Sequence, residues 1–209
     1  MRLALTLSAE NLSCQRGERL LFEGLSFTLA AGQLVQVVGP NGSGKSSLLN
    51  ILTGLGRLEA GRVCWQGADI RSPDSEYRQS VAWLGHQLGI KSALSPHDNL
   101  GFYARLFSVQ VDIDALLHKV GLLDFADMPC HSLSAGQNRR TALARLLLEQ
   151  RAVWILDEPY SGLDSEGQAL LSLLISEHVS SGGSCIMTAH HSLDIPNVTV
   201  MPLELGAFR

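Results

Sequence analysis

A short glycine-rich segment, residues 39–46, reads G-P-N-G-S-G-K-S and matches the phosphate-binding pattern G-x-x-x-x-G-K-[ST]. Its glycines allow the backbone to curl so that successive N–H groups point inward at an anion. Lys45 can reach the β- and γ-phosphates, and the Ser46 hydroxyl can ligate Mg²⁺. The pattern therefore predicts a nucleoside triphosphate site whose phosphate-holding residues are Gly39, Pro40, Asn41, Gly42, Ser43, Gly44, Lys45, Ser46 and Ser47.

Two adjacent carboxylates, Asp157 and Glu158, follow an apolar run at residues 153–156. If this run is a parallel strand, its carboxyl end lies beside the phosphate loop. Asp157 could then hold Mg²⁺, directly or through water, while Glu158 orients and deprotonates an attacking water. This pairing predicts hydrolysis of the nucleotide rather than binding alone.

A third segment, residues 133–137, reads L-S-A-G-Q and opens a run with helical spacing that continues through Arg139, Arg140 and Leu146. Ser134 is typical of a helix N-cap. Because the N-terminus of a helix attracts phosphate, this segment is a second candidate contact for nucleotide.

The chain around these segments alternates predicted strands with predicted helices. Residues 1–33 read as strand-like runs separated by turns at Gly17, Gly24 and Gly32. Further strands are predicted at 34–38, 62–66, 81–84, 153–156 and 184–188, and helices after Lys45 and at 98–106, 112–120 and 165–181. The alternation favours an α/β fold with a largely parallel sheet covered on both faces.

Length and composition are consistent with that fold. The 209 residues, 45% of them hydrophobic, suit one compact domain, residues 1–209, with a helical subdomain inserted at about 88–140. The net charge of −4 argues against a nucleic-acid partner. The cysteines are far apart in sequence, which favours buried thiols over disulfides or a metal site. No apolar run reaches the ~18 residues typical of a membrane span.

The three segments, in this order, resemble the motifs of ATP-binding-cassette (ABC) ATPases, whose L-S-G-G-Q signature is matched with Ala135 at the first glycine. The resemblance implies the RecA-like fold of P-loop NTPases. That fold has a mostly parallel sheet as its core, an N-terminal antiparallel β subdomain and an inserted helical subdomain. It also implies hydrolysis of ATP, with Mg²⁺ as the metal.

The resemblance also implies roles for individual residues. The catalytic residues would be Glu158, Gln87 of the Q-loop and His190, the switch histidine, for which the neighbouring His191 is the alternative. The Mg²⁺ ligands would be Ser46, Gln87 and Asp157.

Other implied roles concern a second copy of the chain and the nucleobase. Ser134, Gly136 and Gln137 would bind the nucleotide of a second cassette, and Asp164 of the D-loop would lie at the interface of this homodimer. Arg16 stands where the family carries an aromatic residue that stacks on adenine, and a guanidinium plane can also stack on a base.

A narrower resemblance is to the ATP-binding subunits of bacterial cytochrome c maturation systems. It is carried by residues 16–19 (R-G-E-R), 84–86 (L-G-H) and 89–91 (G-I-K), together with the signature segment. It implies integral membrane partner subunits, a peripheral place on the cytoplasmic face of the inner membrane, and release of a haem-loaded chaperone. Haem would be met by the partners and not bound directly by this chain.

Three alternatives stay open. The chain could serve another small-cassette exporter, of a lipid or lipoprotein, or be a soluble ABC ATPase acting on ribosomes or DNA. It could also be a P-loop small-molecule kinase. The single cassette and the lack of a heptad tract weigh against the second, and the signature segment weighs against the third.

A partner-docking surface is predicted over residues 87–103, where apolar side chains form either groove walls or subdomain core: Leu88, Ile90, Leu94 and Phe102.

Overall fold

Two β-sheets flanked by helices form the part of the chain that the computed structural model describes, residues 6–189 and 195–206. The strands are β1 (Thr6–Arg16), β2 (Arg19–Ala30), β3 (Leu34–Val38), β4 (Ala60–Trp65), β5 (Ala68–Asp69), β6 (Val81–Leu84), β7 (Val153–Leu156), β8 (Ser184–Thr188) and β9 (Val200–Glu204). The helices are α1 (Lys45–Leu52), α2 (Tyr77–Ser80), α3 (Pro96–Phe107), α4 (Ile113–Lys119), α5 (Ala135–Glu149) and α6 (Ser165–Ser180).

The parallel sheet has the strand order β6-β7-β8-β3-β9. All four residues of β7 are buried, and they alternate between two hydrophobic clusters. Trp154 and Leu156 face a cluster shared with helices α3 to α6, whereas Val153 and Ile155 face a cluster shared with α1 and the N-terminal sheet. Burial on both faces explains why these strands read as unbroken apolar runs.

The second sheet is antiparallel, with the order β2-β1-β4-β5. The prediction of a turn at Gly24 was wrong, because β2 runs through this residue from Arg19 to Ala30. Leu12 pairs with Leu25 and Cys14 with Phe22, so β2 carries one extra residue between these pairs. Gly24, with φ of 68°, therefore lies in a β-bulge and not in a turn that reverses the chain.

The predicted α/β fold with its N-terminal antiparallel sheet is confirmed. Helices α3 and α4 lie in the chain between β6 and β7, while α5 runs through the predicted insertion boundary near residue 140 as far as Glu149. The division of the chain into a cassette with a helical insertion stays a prediction. Within the described ranges, no helix combines the length and the apolar character needed to cross a bilayer.

The cysteines occupy the core, as predicted. Cys14, Cys64, Cys130 and Cys185 are buried free thiols, and burial raises the pKa of each. Because raised thiol pKa values disfavour the thiolate, these side chains behave as small apolar groups.

Candidate active site

The phosphate loop lies between β3 and α1, at the carboxyl edge of the parallel sheet. Gly42 and Gly44 have φ values of 77° and 99°, a left-handed conformation that glycine adopts without strain. Gly44 is the N-cap of α1. The Lys45 ammonium group bends back over the loop and donates hydrogen bonds to the carbonyl oxygens of Gly39 (2.8 Å) and Pro40 (3.1 Å). The local sequence thus forms a curled loop that carries a cation at a helix N-terminus.

The loop opens into a cleft of about 550 Å³. The residues that line it are Arg16, Arg19, Leu21, Asn41, Gly42, Gly44, Lys45, Ser46, Ser47 and Glu158. The lining therefore carries cationic side chains from the β1–β2 hairpin and from the loop, and one carboxylate from the end of β7. The excess of cationic side chains favours binding of a polyanion in the cleft. Glu158 stands on the same lining, where it can meet an attacking water.

Thr188, the last residue of β8, connects the two acids at the end of β7. Its hydroxyl donates a hydrogen bond to the Asp157 carboxylate (2.7 Å) and accepts one from the Glu158 backbone N–H (2.7 Å). Asp157 is buried, and His86 Nε2 lies 3.5 Å from its other carboxylate oxygen. The backbone and the carboxylate at this strand end are therefore positioned by a neighbouring strand.

Glu158 has a φ of 49°, which is unusual for a residue with a side chain. Arg139, on α5, donates hydrogen bonds from Nη1 to the carbonyl oxygens of Glu158 (3.1 Å) and Ser161. Burial lowers the pKa of Arg139, and the Glu158 charge opposes this shift. Together with Thr188, Arg139 holds the turn that aims Glu158 into the cleft.

The signature segment caps its own helix. Ser134 Oγ accepts a hydrogen bond from the Gln137 N–H (3.2 Å), and Gln137 Oε1 accepts one from the Ser134 N–H (2.8 Å). This reciprocal pair is a capping box. Neither Ser134, Gly136 nor Gln137 is among the described residues that line the cleft of the same chain.

Asp164 is the N-cap of α6 and accepts a hydrogen bond from the Gly167 N–H (2.8 Å). It also pairs with Arg140 on α5, with 3.1 Å between the Arg140 Nη2 and Asp164 Oδ1 atoms. The Gly167 N–H, and then the Arg140 guanidinium, hold the pKa of Asp164 below its ordinary value. Asp164 remains exposed, so it joins two helices at the surface.

The remaining predicted residues, Gln87 and the two histidines, are not on the described lining of the cleft. Gln87 lies exposed in the loop after β6 and is not among the described residues that line the cleft. His190 and its alternative His191 lie outside the described residues. The roles assigned to individual site residues stay predictions.

Sequence reasoning missed Thr188, Arg139 and Arg19. Thr188 carried a usable signal, because a polar residue ended a predicted parallel strand in the same way as Asp157. Arg139 and Arg19 carried none, since only the packing of α5 and of the β1–β2 hairpin brings them to the site.

Comparisons with known proteins agree with this geometry. A family model described as ABC transporter matches residues 22–161. The chain is 48% identical over 192 residues to the "Cytochrome c biogenesis ATP-binding export protein CcmA" of Methylococcus capsulatus, covering 90% of this chain and 93% of that protein. It is 45% identical over 203 residues to the protein of the same name from Escherichia coli K12, covering 97% and 98%.

Solved structures of low sequence identity share the fold. A putative ABC transporter ATP-binding protein from Pyrococcus furiosus superposes with a TM-score of 0.82 at 22% identity, covering 97% of this chain and 98% of that chain. An ATP-binding subunit of an ABC transporter gives a TM-score of 0.79 at 21% identity, covering 88% and 79%.

Proposed function

The chain belongs to the ABC transporter family of ATP-binding cassettes, and from this premise we propose that it powers an exporter that serves cytochrome c biogenesis. It is the ATP-binding and ATP-hydrolysing subunit of that transporter. The observation that carries the assignment is the placement of Lys45 and Glu158 on the lining of one cleft, in a chain 45–48% identical to named cytochrome c biogenesis ATPases.

Each side of the cleft has a separate task in hydrolysis. Lys45 and the N–H groups of the phosphate loop bind the phosphate charge. Glu158 faces them across the cleft, where its carboxylate accepts a proton from the attacking water. Thr188 and Arg139 keep Glu158 in its strained conformation, so the base is positioned before nucleotide arrives.

The donor set of this edge suits Mg²⁺, which prefers oxygen ligands. The Ser46 hydroxyl lines the cleft, and Asp157 is a buried carboxylate at the adjoining strand end. We assign Ser46 and Asp157 as the ligands supplied by this chain, with Gln87 as a third. When bound, the ion would neutralise charge on the phosphates and polarise them toward attack.

The working form we propose is a head-to-tail homodimer. Ser134 and Gly136 lie at the start of α5, away from the cleft of their own chain, where a helix N-terminus can meet phosphate held by a second copy. ATP bound between two copies would favour the closed dimer and shift its population.

The dimer would act on integral membrane subunits at the cytoplasmic face of the bacterial inner membrane. In this scheme ATP drives release of a haem-loaded chaperone on the other side, and the membrane subunits meet the haem. The chain itself is peripheral and is held to the membrane through those partners.

The test is complementation of a bacterial strain that lacks the corresponding gene but keeps the membrane subunits. The wild-type chain should restore c-type cytochromes with covalently attached haem, which haem staining of a denaturing gel detects. Lys45→Ala should fail because nucleotide binding is weakened, and Glu158→Gln should fail because turnover drops by ~10²–10⁴-fold although nucleotide still binds. Restoration of cytochromes by Glu158→Gln would contradict the assignment of the base, and failure of the wild-type chain would contradict the proposed exporter.

A further inference from the structure

The segment that follows β9 lies against the start of the phosphate loop. β9 is the edge strand of the parallel sheet and pairs with β3, the strand that leads into the loop. Val38, the last residue of β3, is in register with Glu204, and the Leu205 N–H donates a hydrogen bond to the Val38 carbonyl oxygen (2.8 Å). The two segments therefore leave the sheet side by side, and Leu205 stands next to Gly39, the first residue of the loop.

The approach of Leu205 to the loop is too close for a side chain on Gly39. A Cβ on Gly39 would overlap the carbonyl oxygen of Leu205 and would stand 2.8 Å from Ser43 Oγ. Contact continues at the next pair of residues, since the point where a Cβ on Gly206 would stand lies 3.5 Å from Pro40 Cδ. The backbone after β9 thus packs along the first two residues of the phosphate loop.

These two loop residues hold the lysine of the candidate site. Lys45 donates hydrogen bonds from Nζ to the carbonyl oxygens of Gly39 (2.8 Å) and Pro40 (3.1 Å). The Leu205 side chain is buried and belongs to the same hydrophobic cluster as Leu48 of α1, the helix that begins at Lys45. Leu205 therefore supports the loop twice, with its carbonyl group at the start of the loop and with its side chain beneath the helix that follows.

We propose that Leu205 is a positioning residue for the phosphate loop and that the affinity for ATP depends on it. The proposal rests on the proposed function, since it takes this loop as the nucleotide site. Leu205 is not among the described residues that line the cleft, so it acts through Gly39 and Pro40. A loop that is ordered before the nucleotide arrives loses less conformational freedom on binding.

The effect belongs to binding and not to the chemical step. Glu158, at the end of β7, is held by Thr188 and Arg139, which lie on β8 and α5 and not on the segment after β9. A change at Leu205 should therefore raise the KM for ATP and leave kcat nearly unchanged, the pattern expected when only ground-state binding is lost.

Equilibrium binding of a fluorescent ATP analogue to the full-length chain in Mg²⁺ buffer tests the proposal. Leu205→Ala keeps the carbonyl group but removes the buried side chain that fixes it, and it should weaken binding about tenfold because the loop must then be ordered on binding. Leu205→Met, which nearly conserves the volume, should bind within about twofold of the wild type. In steady-state phosphate release, kcat of Leu205→Ala should stay within about twofold of the wild type.

Leu174→Ala is the matched control for a general loss of stability. Leu174 is a buried leucine of α6 in the other hydrophobic cluster. Both alanine variants should lower Tm, because each opens a cavity in the core. Leu174→Ala should nevertheless bind the ATP analogue as the wild type does. If it weakens binding as much as Leu205→Ala, the effect comes from stability and the positioning role is wrong.

A double-mutant cycle tests whether Leu205 acts through Gly39. Gly39→Ala alone should weaken binding, because its Cβ would overlap the Leu205 carbonyl oxygen. Since Leu205→Ala loosens the same contact, the double variant should lose less affinity than the product of the two single losses. Gly39→Ala combined with Leu174→Ala should lose the full product. Losses that multiply in both combinations would contradict the route through Gly39.

Gly206→Ala perturbs the same segment without opening the core, so it serves if Leu205→Ala does not fold. Gly206 is exposed and has a φ of 112°, which alanine adopts only with strain, so this variant should weaken binding about threefold. If Gly206→Ala and every folded Leu205→Ala sample bind the analogue as the wild type does, the positioning role is wrong and the ATPase assignment stands. If the wild-type chain binds no ATP, the proposed function fails first.

Discussion

At the residue scale, one hydroxyl group at the end of β8 holds both acids of the candidate site. Thr188 Oγ1 has a hydrogen on one side and lone pairs on the other, so it can donate to Asp157 and accept from the Glu158 N–H at the same time. Thr188 is buried. Loss of the hydroxyl would leave the partly buried Glu158 N–H without this acceptor and would free the Asp157 carboxylate to turn.

We expect Thr188→Val, which keeps the shape but removes the hydroxyl, to lower ATP turnover about 10–100-fold because the acids lose their alignment. It should also reduce the free energy of unfolding by about 1–3 kcal/mol. Steady-state phosphate release and urea unfolding measure the two effects. Thr188→Ser keeps the hydroxyl and is the matched control. Turnover by Thr188→Val at the wild-type rate would show that the bridge does not position the base.

At the element scale, α6 is fastened to the parallel sheet by a stacked pair of rings far from the cleft. The His178 ring lies on the indole of Trp154, with centroids 4.0 Å apart and planes 4° from parallel. His178 Nε2 donates to the carbonyl oxygen of Ser184, the first residue of β8, over 3.2 Å. Burial lowers the pKa of His178 from its ordinary value of 6.5, against the opposing effect of that carbonyl.

The lowered pKa predicts how stability depends on pH. Below about pH 6.5 the unfolded chain takes up a proton at His178 more readily than the folded chain does. The stability from this group is thus fully present above pH 6.5 and is lost as pH falls toward the folded-state pKa. We expect the free energy of unfolding to fall from this source as the pH is lowered from 7.5 to 5.5.

Urea unfolding at several pH values measures the effect in matched variants. His178→Gln should be less stable at pH 7.5, because the stacking on Trp154 is lost, but should lose less on acidification than the wild type. His118→Gln, at an exposed position in the last turn of α4, should keep the wild-type dependence. A His178→Gln profile parallel to that of the wild type would contradict this assignment.

At the scale of the whole molecule, the placement of the signature segment predicts assembly driven by nucleotide. In Glu158→Gln, bound ATP should persist and the proposed dimer should accumulate, because hydrolysis no longer reopens it. Size-exclusion chromatography with light scattering should report a mass near twice that of the monomer in ATP and Mg²⁺. The double variant Glu158→Gln/Lys45→Ala should stay monomeric. A Glu158→Gln chain that is monomeric both alone and with its membrane partners would refute the homodimer.

A groove of about 500 Å³ coincides with part of the predicted docking surface. Leu88 and Ile90 line it, together with Ala135 at the start of α5 and Gly162 of the D-loop, whereas Leu94 and Phe102 do not. Leu88 and Ile90 also pack against the main hydrophobic cluster. Leu88 and Ile90 are therefore both groove walls and core residues, the two interpretations that the sequence left open. The groove adjoins the loop that carries Gln87.

We expect Ile90→Glu to reduce co-purification with the membrane subunits at least tenfold, since a charge would enter the apolar contact, while the isolated chain still binds ATP. Leu106→Glu places the same charge on an exposed position of α3 outside the groove and should not affect the complex. Crosslinks of the partner that map to the β1–β2 hairpin instead would contradict this surface.

The sequence by itself determined the features whose cause is local. The phosphate loop could be predicted because strand, glycines, lysine and helix follow one another in the chain, and β3, β6, β7 and β8 have the predicted limits. Their apolar runs are short and bounded, which is what burial on both faces of a parallel sheet requires. The order of the motifs indicated the family, and a match to the family over residues 22–161 confirmed it.

Only the tertiary structure decided which distant residues meet. β9 was not predicted, yet it forms the edge of the parallel sheet beside β3, and Leu205 after it closes against Gly39. The Thr188 bridge depends on β8 lying next to β7, and the reach of Arg19 depends on β2 packing against Gly44. Local periodicity encodes which face of a strand is buried, but strand order and register are set by packing between segments far apart in the chain.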